Sequence, residues 1–179
     1  MKYFSGFALA GEAALFDEFI APFAENRYVV VGFSYGAIKA VEYAYASRRR
    51  VEKLILLSPA LFLNSSKAFK KVQLLHFKKD PGKYIDTFLS NAAYPASKDI
   101  LEPYLATPSI RDLEELLEYS WPKERLESLL RRGTTIETYI GKEDKIVDAE
   151  AAFGFFREFG ESYLFKQYGH ILHRGGESG

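Results

Sequence analysis

Hydrophobic residues along the chain follow two spacings, one typical of strands and the other typical of helices. Residues 28–31 (YVVV) lack polar alternation, as parallel strands buried on both faces do. Residues 53–57 (KLILL) have the same character and stop at a Ser-Pro pair. Five strands are predicted in all, and they cover residues 3–4, 28–31, 53–57, 134–140 and 162–165.

Helical spacing separates most of these predicted strands. One apolar face follows Gly11 and predicts a helix that runs to Phe23, and others follow Gly36 and Val147. Strands that alternate with helices in this way form an open parallel sheet with helices on both faces. The predicted fold class is therefore α/β, with about five parallel strands.

The segment 60–133 differs from the rest, because it contains helical patches and turn signals but no strong strand. It is too long for an unstructured loop. Two amphipathic helices are predicted on either side of Pro122. We expect a helical cap at residues 60–133 over a core formed by residues 1–59 and 134–179, because open parallel sheets bind ligands at the carboxyl ends of their strands.

Composition removes several classes of function. The 179 residues include 24 Lys and Arg and 24 Asp and Glu, so a globally basic nucleic-acid binder is disfavoured. There is no cysteine and there are only three histidines, which argues against a thiol nucleophile, a disulfide framework or a metal site. No apolar run is long enough to cross a bilayer, and we expect a cytoplasmic protein without membrane contacts. Aromatic residues reach 16%, which fits either a bulky core or an apolar pocket.

The sharpest motif is Gly32-Phe33-Ser34-Tyr35-Gly36, a G-x-S-x-G between a predicted strand and a predicted helix. A serine on such a turn needs small neighbours, because the backbone is strained and approaches other chain segments closely. The turn lifts the hydroxyl out of the sheet, and the following helix start favours a developing oxyanion. Ser34 is therefore the candidate nucleophile.

A serine needs a base, and the three histidines are the candidates. His170 follows the last predicted strand, so it is expected at the sheet edge where Ser34 emerges. His173 is the alternative base. His76 lies among lysines in the predicted cap, where a solvated surface residue is the simpler interpretation.

The base in turn needs a carboxylate that fixes its tautomer. Asp144 lies in the loop after the strand 134–140. The chain order Ser34, Asp144, His170 is the one expected when the nucleophile stands on a strand-to-helix turn of such an α/β fold. Asp148 is the main alternative, although it is also expected to cap the next helix, and Glu143 is the fallback.

Two backbone amides are candidates for an oxyanion hole. One is the N–H of Tyr35, directly after the nucleophile, and the other is the N–H of Phe7 in the turn after the first strand. Gly6 allows the conformation that would aim the second amide into the site.

These elements in this order resemble the α/β-hydrolase family over nearly the whole chain. The resemblance implies a serine esterase without cofactor or metal, in which Ser34, Asp144 and His170 form the catalytic triad and Phe7 and Tyr35 the oxyanion hole. Two features depart from the family pattern. Ser5-Gly6 stands where many members have His-Gly. The first strand corresponds to the family's third, so the family's first, second and fourth strands are expected to be missing.

The opening residues 3–7 (YFSGF), together with Glu12 and Phe16 on a short chain, resemble one branch of that family. It is the compact BioV-type pimeloyl-[acyl-carrier protein] methyl ester esterases. The resemblance implies hydrolysis of pimeloyl-carrier methyl ester in biotin synthesis, with an acyl-carrier protein as partner. A general small-acyl esterase or thioesterase is the alternative, and a non-catalytic binding protein of the same fold is a second one.

The charge pattern bears on the partner. The first part of the predicted cap is basic, whereas its later part is acidic. A basic patch could steer an acidic carrier protein towards the site, although a solvated helix face would look the same. The candidate carrier-binding residues are Lys67, Lys70, Lys71, Lys78 and Lys79.

Overall fold

The computed structural model describes residues 1–175, and their centre is one five-stranded sheet. All neighbouring strands are parallel and follow chain order from β1 to β5. The strands are β1 Lys2–Phe4, β2 Val29–Phe33, β3 Lys53–Leu57, β4 Thr135–Gly141 and β5 Glu161–Phe165. The prediction of five parallel strands is confirmed.

Helices cover the sheet on both sides. The α-helices are α1 Asp17–Ile20, α2 Tyr35–Ala46, α3 Lys67–Lys79, α4 Pro81–Ala93, α5 Ile110–Glu118, α6 Lys123–Arg131 and α7 Ala149–Phe156. Shorter 3-10 helices span Glu12–Phe16, Ala21–Phe23 and Lys98–Tyr104. Within residues 1–175 none of these helices has both the length and the apolar character that a bilayer span requires.

Strand β2 shows why the sheet is central, because all of its residues are buried. Val29 and Val31 face one hydrophobic core, in which they pack with Phe16 and other residues of the first helical segment. Val30 faces a second core together with residues of α2, α6 and α7. Since both faces of the strand are covered by apolar side chains, the absence of polar alternation in the sequence has a direct physical cause.

The helix predicted from Gly11 to Phe23 is wrong as one continuous element. The chain there forms a 3-10 helix, the four-residue α1 and a second 3-10 helix. Gly11 has φ +77°, and Pro22 offers no N–H to continue a helical ladder. The predicted apolar face nevertheless points into the core, because Phe16 and Ile20 are both buried.

The segment 60–133 contains α3 to α6, and its division from the core stays a prediction. Helix α6 packs on α2, so it lies beside the sheet rather than at the strand ends. Helix α5 begins with a capping box of Ser109 and Asp112. Of the predicted core segment 134–179, residues 176–179 lie outside the described part of the chain.

Candidate active site

Ser34 occupies the sharp turn between β2 and α2, and its backbone has φ +53°. Such an angle is strained for a residue with a side chain and persists only where the surroundings enforce it. The two flanking glycines make the turn possible. A Cβ on Gly32 would lie 2.3 Å from the carbonyl oxygen of Gly36, and a Cβ on Gly36 would lie 2.0 Å from that of Phe4.

The structure brings Ser34, His170 and Asp144 together. His170 Nε2 is 2.8 Å from Ser34 Oγ, and His170 Nδ1 is 2.6 Å from Asp144 Oδ2. The side chains of His170 and Asp144 are 1% and 0% exposed, and Ser34 is 2% exposed. A carboxylate on Nδ1 selects the tautomer in which Nε2 can accept the serine proton. The geometry is therefore that of a hydroxyl with a base and an orienting acid.

Asp144 is itself held by the loop that follows β4. Its Oδ1 accepts the N–H groups of Ile146 and Val147, at 2.7 and 3.0 Å. One oxygen thus fixes the side chain and the other is left for the histidine. Asp148, the alternative acid, instead caps α7 by accepting the N–H of Ala151 at 3.0 Å.

The other two histidines lie apart from this cluster. His173 Nε2 is 2.8 Å from the carbonyl oxygen of Leu15, so it ties the chain after β5 to the first helical segment. His76 is exposed on α3. Glu143, the fallback acid, is also exposed.

Solved structures resemble this chain over most of its length. An esterase from Exiguobacterium antarcticum superposes with a TM-score of 0.63 at 17% identity, over 88% of this chain and 65% of that one. MenH from S. aureus superposes with a TM-score of 0.58 at 13% identity, over 96% of this chain and 85% of that one. Naproxen esterase (carboxylesterase NP) from Bacillus subtilis superposes with a TM-score of 0.59 at 16% identity, over 95% of this chain and 76% of that one.

The chain has the α/β-hydrolase fold. No family model and no curated protein sequence matches it. At these identities the likeness concerns the fold, and any activity has to be argued from the site itself. The chain spans 65% of the length of the Exiguobacterium esterase.

The two predicted oxyanion donors belong to the turns that follow β1 and β2. Tyr35 is the first residue of α2, and Phe7 is in the turn after β1. Within residues 1–175 neither N–H donates a hydrogen bond to the protein. A buried backbone amide without an acceptor is rare, so both N–H groups remain free to donate to an oxygen from outside the chain.

A cavity of about 550 Å³ lies between α3, α4, α5 and the loop after β4. Its apolar wall includes Phe62, Phe88, Leu116 and Ile146. The ring of Phe88 packs edge-on against that of Phe7 at 5.2 Å, and Ile146 donates its N–H to Asp144. The cavity therefore adjoins both the candidate oxyanion turn and the acid.

Charged side chains also line this cavity. Lys79 and Lys83 come from α3 and the start of α4, and Lys145 follows Asp144 directly. The one acidic residue of the lining, Asp80, caps α4 by accepting the N–H of Lys83 at 3.0 Å. The cavity thus combines an apolar wall with an excess of cationic groups.

Helix α3 carries the five predicted carrier-binding lysines. Lys70 pairs with Glu118 of α5 at 3.5 Å. The other four, which are Lys67, Lys71, Lys78 and Lys79, are exposed and form no ion pair within residues 1–175. Four of the five lysines are therefore available to a partner.

The side-chain contacts of Tyr35 and Glu12 were not predicted from the sequence, although both residues were singled out there for other reasons. The hydroxyl of Tyr35 donates to Glu115 of α5 at 2.9 Å, and burial and this bond raise the pKa of Tyr35 above its usual range. Glu12 is fully buried beside Gly6. Tyr35 and Glu115 lie 80 positions apart, so only the fold brings them together. Gly6 and Glu12 lie six positions apart, and no sequence motif marks their contact. Among residues 1–175 no group of three potential metal ligands occurs.

Proposed function

We propose that this protein is a serine carboxylic ester hydrolase that works through Ser34, His170 and Asp144. The observation that carries the proposal is the unbroken hydrogen-bond relay from hydroxyl to imidazole to carboxylate. Two unpartnered amides and an adjoining cavity support it. Each part has a defined role in acyl transfer.

In the proposed reaction, Ser34 Oγ attacks the ester carbonyl while His170 Nε2 takes its proton. The Phe7 and Tyr35 amides hold the oxyanion of the tetrahedral intermediate. The bond to the alcohol oxygen then breaks, and His170 returns its proton to the departing alcohol. Water repeats the sequence on the acyl-enzyme and releases the acid. Asp144 keeps the ring oriented throughout, and no step uses a metal or cofactor.

Access is a physical requirement of this mechanism, because Ser34 and His170 are almost fully buried. An ester carbonyl can reach Ser34 Oγ only if neighbouring side chains move. The cavity between α3, α4 and α5 meets the Phe7 turn through the ring of Phe88. A smaller cavity of about 260 Å³ is lined by Phe7 and Tyr35 themselves, so a substrate could enter from either side of that turn.

A serine-reactive phosphonate tests the chemistry without assuming a substrate. Mass spectrometry should find one covalent adduct per chain, located on Ser34, and the Ser34→Ala variant should carry none. An unlabelled wild-type protein would favour the alternative of a non-catalytic binding protein with the same fold.

We further propose the methyl ester of pimeloyl-acyl-carrier protein as the substrate, with methanol and the pimeloyl-carrier as products, in biotin synthesis in the cytoplasm. The apolar wall of the cavity suits the methylene chain of such an acyl group. The unpaired lysines of α3 suit an acidic carrier protein.

The decisive experiment measures methanol released from carrier-bound and free methyl esters of several acid lengths. A preference for the carrier-bound seven-carbon diacid ester is expected. Turnover of the carrier-bound ester should also fall with ionic strength much more steeply than that of a free ester, because salt screens charges beyond about 10 Å at 0.1 M.

A general esterase or thioesterase for small acyl groups is the second candidate. Naproxen esterase, whose fold this chain shares, is an example of an esterase for a small substrate. Equal turnover of free and carrier-bound esters, with no dependence on salt, would favour this candidate over the carrier-specific one.

A further inference from the structure

Glu12 is fully buried, and among the acidic residues of the described chain that do not belong to the triad it is the only buried one. Its Oε1 accepts the N–H of Gly6 at 2.8 Å and the hydroxyl of Tyr3 at 3.1 Å. Its Oε2 has no hydrogen-bond partner within residues 1–175. Burying a carboxyl group with one oxygen unpaired is unfavourable, so its position calls for a role that an apolar side chain cannot fill.

Gly6 is confined on its other side by Phe33. A Cβ on Gly6 would lie 2.7 Å from Cδ1 of that ring. The same ring lies 5.2 Å from the ring of His170, and Phe33 directly precedes Ser34. The Gly6 backbone is therefore held between the carboxyl group of Glu12 and a side chain that belongs to the surroundings of the triad.

The turn after Gly6 transmits this restraint to Phe7. The Gly6 carbonyl accepts the N–H of Leu9 at 3.3 Å, and Ala8 has φ +61°. In a trans peptide the carbonyl and the following N–H point in opposite directions. Once the Gly6 carbonyl is turned towards Leu9, the Phe7 N–H must point the other way.

We propose that Glu12 is a positioning residue for the oxyanion hole. Its carboxyl group holds the Gly6 N–H so that the turn presents the Phe7 N–H to the reacting oxygen. This inference rests on the proposed function, because the Phe7 N–H matters only if Ser34 attacks a carbonyl. The feature that the Gly6 N–H requires is a buried acceptor, and the negative charge is not needed. A glutamine at position 12 is therefore expected to preserve the function of Glu12, because it keeps the acceptor, whereas an alanine is expected to lose it.

The half-buried Tyr3 supports this restraint, because its hydroxyl is the second donor to Oε1 of Glu12. Its pKa is raised well above its usual range by burial and by the neighbouring Glu12, so its hydroxyl remains a donor at all working pH values. With two donors on Oε1, the carboxyl group cannot swing away from Gly6 without leaving both unpaired.

The test compares Glu12→Ala, Glu12→Gln and the control Glu18→Ala, which removes an exposed glutamate from the neighbouring α1. Three quantities are measured: active sites titrated to completion with the phosphonate, kcat and KM per titrated site on a free methyl ester, and the Ki of a trifluoromethyl ketone. The ketone forms a hemiketal on the serine, and its oxyanion uses the same donors.

Glu12→Ala is expected to lower kcat per titrated site about 10- to 100-fold, the scale for a disturbed oxyanion donor. KM should change little, and the Ki of the ketone should rise by the same factor as kcat/KM falls. Glu12→Gln should stay within about threefold of the wild type on both measures, because it keeps the acceptor. Glu18→Ala should match the wild type.

Two results would overturn the inference while leaving the proposed function intact. In the first, Glu12→Ala reduces the number of titrated sites but leaves kcat per site and ketone affinity unchanged, which is a purely structural role. In the second, Glu12→Gln loses as much as Glu12→Ala. If Glu12→Ala does not fold, Glu12→Met gives the same comparison, since it keeps the length without a strong acceptor. A wild type that neither hydrolyses esters nor reacts with the phosphonate would overturn both proposals.

Discussion

The triad and the outer face of α3 are both predicted parts of the site, yet they differ in how far their groups are paired. Ser34 and His170 are 2% and 0% exposed and are hydrogen-bonded to each other. On α3, Val72 and Leu75 are 42% and 54% exposed, and four of the five lysines form no ion pair within residues 1–175. The three triad side chains are hydrogen-bonded to one another within the chain, whereas the exposed groups of the helix face solvent and are open to contact with another molecule. Reaction chemistry and partner choice are thus expected to respond to different mutations.

The largest effect is expected from Ser34→Ala, which removes the nucleophile and leaves the fold unchanged. The value of kcat/KM on any ester should fall about 10⁴-fold or more, on the scale seen when triad members are removed. Thermal unfolding should show a Tm close to that of the wild type. Near-normal hydrolysis by this variant would contradict the assignment of the triad.

The next largest effect separates the two candidate acids. Asp144→Asn should lower kcat about 10²- to 10⁴-fold, because an amide cannot stabilise the imidazolium or select the required tautomer. Asp148→Asn is the matched control, since asparagine also accepts the N–H at a helix start and should leave kcat nearly unchanged. A larger loss from the second variant would show that Asp148 is the acid.

A third prediction concerns stability and compares two glycines. Gly36→Ala would place a methyl group 2.0 Å from the carbonyl oxygen of Phe4, and should lower the free energy of unfolding by about 3 kcal/mol. Gly154→Ala meets nothing within 4 Å in the exposed part of α7, and should raise it by about 0.5–1 kcal/mol. Urea denaturation measures both. Equal effects would show that the turn at Ser34 is less tightly packed than the structure has it.

The smallest effect is expected on α3. The double variant Lys71→Glu, Lys78→Glu should lower kcat/KM for a carrier-bound ester about tenfold, because it places like charges opposite an acidic carrier. The same variant should hydrolyse a free methyl ester normally. Lys166→Glu, an exposed lysine just after β5, is the control. An equal loss on both substrates would break the division between a self-contained triad and a partner-facing helix.

Much of the fold was predictable because its signals are local. The buried strand β2 has no polar alternation, and the glycines around Ser34 mark a strained turn between a strand and a helix. The segment 11–23 was predicted as one helix, and there spacing gave the correct buried face but the wrong backbone. Hydrophobic spacing records which side chains are buried and is less sensitive to how the chain turns between them.

The sequence by itself predicted the parallel sheet, the turn at Ser34 and the three candidate residues in their chain order. The signals for the sheet and the turn lie in short stretches of neighbouring residues, which is why they can be recognised without the structure. Only the tertiary structure decided that Asp144 rather than Asp148 meets His170, because two carboxylates four positions apart are distinguished by what packs around them. It alone also placed Glu12 against Gly6 and formed the cavity under α3. The contact of Asp144 with His170 and the cavity join distant parts of the chain, whereas Glu12 and Gly6 lie only six positions apart. In each case the geometry exists only after the sheet and its covering helices have packed.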